Sequence, residues 1–154
     1  MIKIMFVCHG NICRSPMAEF VMRDMLKKRG LDRKITVASS ATSTEEIGND
    51  IHYGTRRILD KYSVPHSPRE AVQLTRADYE KYDFFVGMDS ANIRNMHRIF
   101  GSDPEGKIIR LLDLTDEKRD VADPWYTGNF EATYRDVTLG SEALIEHITK
   151  TVGQ

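Results

Sequence analysis

Short unbroken apolar runs alternate along this chain with apolar residues at helical spacing. Residues 2–7 are apolar apart from Lys3 and end at His9-Gly10-Asn11, as expected of a strand buried on both faces. Met17, Phe20, Val21 and Met25 then recur at helical spacing. Ser15-Pro16 offers that helix an N-cap and a proline in the first helical position, Glu19 falls in its first turn, and Gly30 ends it. Residues 34–38 predict a second strand, residues 39–49 a polar loop, and residues 52–62 a second helix. Thr75 with Asp78 forms a capping box for a short helix ahead of a third strand over residues 84–88. Asp89 or Ser90 caps the next helix, which ends at Phe100-Gly101, and residues 107–112 predict a fourth strand. Phe130, Tyr134, Val137, Leu144, Ile145 and Ile148 line one face of a long last helix. Strand alternating with helix predicts an α/β fold, a parallel sheet covered by helices on both faces, with ligands at the C-terminal ends of the strands.

Composition narrows the function classes. No stretch is rich in Pro, Gly or Ser and no long period repeats, so residues 1–154 are expected to form a single domain. With 23 acidic and 22 basic residues the net charge is -1, which points away from nucleic acid. The longest wholly apolar run, residues 4–8, is far below the roughly 18 residues of a membrane span. It is also too short for a secretory leader and lacks a cleavage site, so a cytoplasmic location is expected, with secretion by an unconventional route left open. The two cysteines, Cys8 and Cys13, cannot build a disulfide framework, which opens a chemical role for them.

Both lie between the first strand and the first helix, in Cys8-His9-Gly10-Asn11-Ile12-Cys13-Arg14-Ser15. Backbone N–H groups curling around such a loop and opening a helix offer donors and a positive dipole end to a tetrahedral anion. Gly10 and Asn11 suit the left-handed backbone such a curl requires. Arg14 can grip two phosphate oxygens through its planar fork, and the same arginine and dipole favour a thiolate at Cys8. Ser15 can donate a hydrogen bond to that thiolate. The alternative, Cys8 as a small buried hydrophobe, explains neither Gly-Asn within the loop nor Ser-Pro after it.

At these residues the chain resembles the low-molecular-weight protein tyrosine phosphatases, whose signature is matched by Val7 to Pro16. Further landmarks follow in the family's order: Ser39-Ser40-Ala41-Thr42-Ser43, Ile47-Gly48-Asn49, Thr75-Arg76-Ala77-Asp78, Met88-Asp89 with Asn92, and Asp123-Pro124-Trp125-Tyr126. The resemblance implies a three-layer αβα sandwich with a central four-stranded parallel sheet and a phosphate-binding loop between the first strand and first helix. It implies hydrolysis of phosphotyrosine and small aryl phosphates through a cysteinyl-phosphate, with Cys8 as nucleophile, Arg14 on the phosphate and Asp123 as general acid. The whole loop, Cys8, His9, Gly10, Asn11, Ile12, Cys13, Arg14 and Ser15, is then the phosphate site. Asn11, Ser39 and His66 match a network that holds the loop open, joined by Ser15, and Asp89 would orient the arginine or cap a helix. Ile12, Glu45, Trp125 and Tyr126 would wall the ring, and Cys13 would form a reversible disulfide with Cys8. The expected partners are a tyrosine-phosphorylated protein as substrate and inorganic phosphate or other oxyanions as inhibitors, on a monomer or weak homodimer with no cofactor and no metal.

Two residues depart from the family's pattern. His9 stands where an apolar residue is common, and Glu45 where an aromatic residue often faces the loop, which predicts weaker ring stacking and a bias against acidic flanking residues. Ile12 favours phosphotyrosine over phosphoarginine, since the relatives that resemble arginine phosphatases carry threonine there. Protein arginine phosphatase, arsenate reductase using an external thiol and cysteine phosphocarrier remain as alternatives. There is no cysteine after Cys13 to relay electrons, and a phosphocarrier needs no acid such as Asp123. The five histidines show no ligand spacing for a metal.

Overall fold

The structure, a computed structural model, describes residues 1–151. Strands β1 (Ile2–Cys8), β2 (Ile35–Ala41), β3 (Phe84–Gly87) and β4 (Ile108–Arg110) form one parallel sheet in the order β2-β1-β3-β4. Helices α1 (Arg14–Lys28), α2 (Tyr53–Lys61), α3 (Ser90–Phe100), α4 (Pro124–Thr127) and α5 (Phe130–Thr151) connect and cover it. The alternation along β1 divides the core in two: Ile4, Phe6 and Cys8 pack with α1, α2 and α5, whereas Met5 and Val7 pack with Leu74, Tyr79, Met96 and Phe100 on the opposite face. Both helical layers expected from the sequence are therefore present.

After β1 the chain pairs β2 on one side and later returns with β3 on the other. This reversal opens a crevice at the C-terminal end of β1, and residues 9–13 fill it. The register places Cys8 opposite Ala41 of β2.

Several boundaries differ from the sequence reading. Strand β2 continues through Ala41, so Ser39, Ser40 and Ala41 are sheet rather than loop, because their neighbour β1 continues as far as Cys8. Helix α1 begins at Arg14 with Cys13 in the cap position, and Ser15 is not its N-cap; the hydroxyl turns to the Cys8 sulfur instead. β4 is three residues long and passes into a 3₁₀ turn, Leu111–Leu114. That turn lies against α5 at Gly140, where a Cβ would stand 2.3 Å from Leu111 Cγ. The Thr75–Asp78 capping box opens a 3₁₀ helix, Arg76–Glu80.

Candidate active site

Residues 9–13 curl over the start of α1, and the curl depends on Asn11, whose φ of 61° lies in the left-handed region. Gly10 does not share that conformation, contrary to expectation; its small size matters because a Cβ there would meet Glu46 Cγ at 3.3 Å. The fully buried Asn11 amide makes four hydrogen bonds. Its Nδ2 donates to Ser15 Oγ at 2.8 Å and Ser39 Oγ at 2.9 Å, while its Oδ1 accepts from Arg69 Nη2 at 2.6 Å and Val72 N at 3.1 Å. Because Ser15 Oγ accepts from Asn11, its one proton is free for Cys8 Sγ, 3.0 Å away. The Ser15 amide N–H also points at that sulfur, at 3.4 Å. Ser39 passes its own proton to Glu19 Oε1 at 2.5 Å.

His66 does not join this network. Its Nε2 lies 2.7 Å from Asp60 Oδ1 and its ring meets Phe20 edge-on, tying the segment after α2 to α1. Arg69 occupies the position expected of the histidine: besides Asn11 Oδ1 it binds the Asn11 carbonyl at 2.7 Å and, through Nη1, the Asn49 carbonyl at 3.2 Å. Burial draws the Arg69 guanidinium below its ordinary proton affinity, with Glu19, Asp50 and Cys8 opposing.

Arg14 is 2% exposed, so its charge must be paired. Nη1 donates to Asp89 Oδ2 and to the Val121 carbonyl, both at 2.8 Å, and Nη2 faces Asp123 Oδ2 at 3.4 Å. Burial alone would lower its proton affinity, but the charges of Cys8, Asp123 and Asp89 outweigh that and raise it. Asp89 has both anticipated contacts, holding Arg14 with one oxygen and capping α3 through Asn92 N with the other, at 2.8 Å. Asp123 caps α4, a short helix not anticipated in the sequence, by accepting from Trp125 N at 3.0 Å. Its other oxygen is thereby turned toward Arg14.

These groups surround a cleft lined by Cys8, His9, Gly10, Ile12, Cys13, Arg14, Glu45, Glu46, Asp123, Trp125 and Tyr126. Cys8 and Arg14 form its floor and Asp123 its side. At the rim, Tyr126 is 84% exposed, while Trp125 sets its edge on the His52 ring, 5.6 Å between centroids. Glu45 reaches across to His9 Nε2 at 2.6 Å, so the two departures from the family pattern meet each other. Sequence reasoning missed Glu46, whose only sign was its place beside Glu45, and Arg69. Cys13 is a buried free thiol, pushed from 9.0 up to about 12 chiefly by burial, with the charges of Cys8 and Asp123 adding to it. No cluster of three or more metal-ligating side chains occurs among the described residues, and no helix among them is long and apolar enough to cross a membrane.

A cysteine in an anion-binding loop, with a buried arginine and a facing carboxylate at the switch point of a parallel sheet, defines a phosphate-monoester hydrolase of the cysteinyl-phosphate class. A profile of the family "low molecular weight phosphotyrosine protein phosphatase" matches residues 3–154, and the chain belongs to that family. It is 40% identical over 152 residues to the low molecular weight protein-tyrosine-phosphatase YfkJ of Bacillus subtilis, covering 97% of each chain. To PtpA of Staphylococcus epidermidis it is 39% identical over 151 residues, covering 97% of this chain and 96% of that one. The crystal structure of YfkJ superposes with a TM-score of 0.95 at 39% identity, covering 99% of this chain and 97% of that chain. The low molecular weight protein tyrosine phosphatase of Streptococcus pyogenes does so with a TM-score of 0.86 at 38% identity, covering 96% and 93%.

Proposed function

We propose that this chain hydrolyses phosphotyrosine in proteins, and small aryl phosphates, through a phosphate ester on Cys8. The observation that carries the reading is the Cys8 sulfur, held by the Ser15 hydroxyl and amide on the floor of a cleft whose side bears Asp123. The Cys8 thiolate attacks phosphorus in line, and the P–O bond to the phenol breaks as Asp123 delivers its proton to the leaving oxygen. Arg14 and the loop amides hold the equatorial oxygens, and Arg14 binds most strongly as charge gathers there. Asp123, now a carboxylate, takes a proton from water as the water attacks the cysteinyl-phosphate. The S–P bond breaks, and Ser15 steadies the departing thiolate through the contact it already makes. Arg69, Asn11 and Ser39 act on the chemistry only through the loop they brace.

Ile12 gives the ring an apolar shelf, with Trp125 and Tyr126 at the opposite rim. Glu45 and Glu46 make the rim acidic, which favours phosphotyrosine flanked by basic rather than acidic residues. Inorganic phosphate and related oxyanions are expected to inhibit by occupying the loop. A nucleophilic thiol beside a second thiol suits the reducing cytoplasm, and the chain is read as a monomer or weak homodimer.

The test is phosphate release from phosphotyrosine and phosphoarginine peptides without added metal. Phosphotyrosine turnover abolished in Cys8→Ser and slowed about 10²- to 10⁴-fold in Asp123→Asn is expected. Preference for phosphoarginine would move the assignment to an arginine phosphatase, and stable phosphate on Cys8 without turnover would make the chain a phosphocarrier.

A further inference from the structure

Residues 115–123, which end in Asp123, contain no helix or strand, so their path is set by what they are fastened to. Three of these fastenings lie at consecutive residues, 119–121, just before the carboxyl. Val121 donates its N–H to the Met88 carbonyl and accepts from Arg14, both at 2.8 Å. Asp120 Oδ1 accepts from Ser90 N at 3.0 Å and from Arg110 Nη1 at 2.9 Å. Arg119 presents its fork to Asp136 of α5, Nη1 to Oδ2 at 2.9 Å and Nη2 to Oδ1 at 3.0 Å.

The third fastening is the unusual one. The Asp136 side chain, a carboxylate, is only 6% exposed. Burying a carboxylate is costly unless it is paired, and here two half-exposed guanidinia, those of Arg119 and Arg135, pair it. Arg135 takes Asp136 Oδ1 at 3.0 Å and Glu117 Oε2 at 2.7 Å, while Glu117 Oε1 returns to Arg119 at 3.1 Å. Two residues of the irregular segment and two of α5 thus close a ring of alternating charge. Arg119 lies four residues before Asp123, and none of the ring's members lines the cleft.

We infer that Arg119 and Asp136 are positioning residues for the general acid, clamping its segment to α5 so that the Asp123 carboxyl stands where the leaving oxygen emerges. The inference rests on the assignment of Asp123 as that acid. Displacing a catalytic group by as little as about 1 Å can cost about 10²-fold in rate.

The experiment compares kcat/KM for phenyl phosphate, whose phenolate needs a proton, with that for 2,4-dinitrophenyl phosphate, whose phenolate leaves without one. Arg119→Met is expected to lower the first about tenfold or more and the second less than about twofold. Asp136→Asn should give the same pattern, Arg119→Lys should recover part of the loss, and the inhibition constant of inorganic phosphate should not change. In an Asp123→Asn background, Arg119→Met should have no further effect on either substrate, because the group it positions is already gone. Equal losses on both substrates, weaker phosphate inhibition, or losses that multiply with those of Asp123→Asn would overturn the clamp and leave a merely structural ion pair. If Asp123→Asn alone fails to discriminate between the substrates, the acid assignment itself falls and the clamp with it. If Asp123→Asn discriminates and Arg119→Met does not, only the clamp falls.

Discussion

The two thiols of the loop lie five positions apart in sequence, and the structure sets them against each other chemically. Burial pushes Cys13 from 9.0 up to about 12, with Cys8 and Asp123 adding and Arg14 opposing. At pH 7.5 a thiol titrating at 12 is about 3 parts in 100,000 thiolate, against about 3% for one at 9, a difference of about a thousandfold. Only the thiolate attacks sulfur. Once peroxide has converted Cys8 to a sulfenic acid, the slow step is attack by Cys13 on that sulfur, which breaks the S–O bond and releases water. Oxidising Cys8 removes its charge but leaves burial, the largest cause of the Cys13 shift, in place. The rate of disulfide closure should then rise about tenfold per pH unit and not level off below pH 9, whereas a thiol titrating at 9 would begin to level off there. At neutral pH a second peroxide competes, so excess oxidant should drive Cys8 on to the sulfinic acid. Mass spectrometry after timed peroxide exposure from pH 6.5 to 9 measures the two products, with Cys13→Ser as the variant that gives no cross-link. A disulfide yield independent of pH, or alkylation of Cys13 that levels off near pH 9, would refute the argument from burial. Sulfinic acid at Cys8 with no cross-link at any pH would refute the disulfide altogether.

Substitutions at two positions test the scaffold by melting and by turnover. Asn11→Ala should destabilise the fold by about 2–4 kcal/mol, because alanine tolerates the left-handed backbone less well than asparagine and strands four partners, two of them buried serine hydroxyls. Asn11→Gly should recover the backbone part of that loss but not the activity, since the amide still no longer directs Ser15; equal stability in the two variants would refute the backbone argument. Gly140→Ala should cost about 1–3 kcal/mol with little change in KM, because the new methyl meets Leu111 while the cleft lies elsewhere. An unshifted melting curve would show that α5 can move off the 3₁₀ turn freely.

How legible these features were in the sequence follows the range of the interactions behind them. β1 was readable because burial on both faces leaves an apolar run, and Cys8, Arg14 and Ser15 because a phosphate loop packs its chemistry into eight consecutive residues. Asp89 was readable in both contacts because a helix cap is local and the resemblance matched this residue to the arginine. Ser15 was read both as an N-cap and as a donor to the Cys8 sulfur, and only the second contact forms, because the helix already begins at Arg14 and the hydroxyl turns to the sulfur. The end of β2 was misplaced because the pairing that extends it belongs to β1. Arg69 was missed for the same reason: it reaches Asn11 across 58 positions, and an arginine between proline and glutamate in a polar stretch reads as solvated surface. His66, three residues earlier, had the residue type but not the reach.

Arg14 shows why the long-range contacts could not be spared. A buried guanidinium with no partner would oppose folding, yet one with all its donors saturated could not take hold of phosphate. The structure divides the fork between these demands. Nη1 is fixed by Asp89 and the Val121 carbonyl at 2.8 Å each, whereas Nη2 meets Asp123 only at 3.4 Å. An incoming phosphate oxygen can displace that longer contact without disturbing the shorter two. The carboxyl it displaces is the one proposed as the acid, so pairing Arg14 before phosphate arrives and supplying a proton to the leaving oxygen become one task of the Asp123 segment. Asp89 holds Arg14 independently, so what the charges on α5 fix is the path of residues 115–123 that carries the carboxyl.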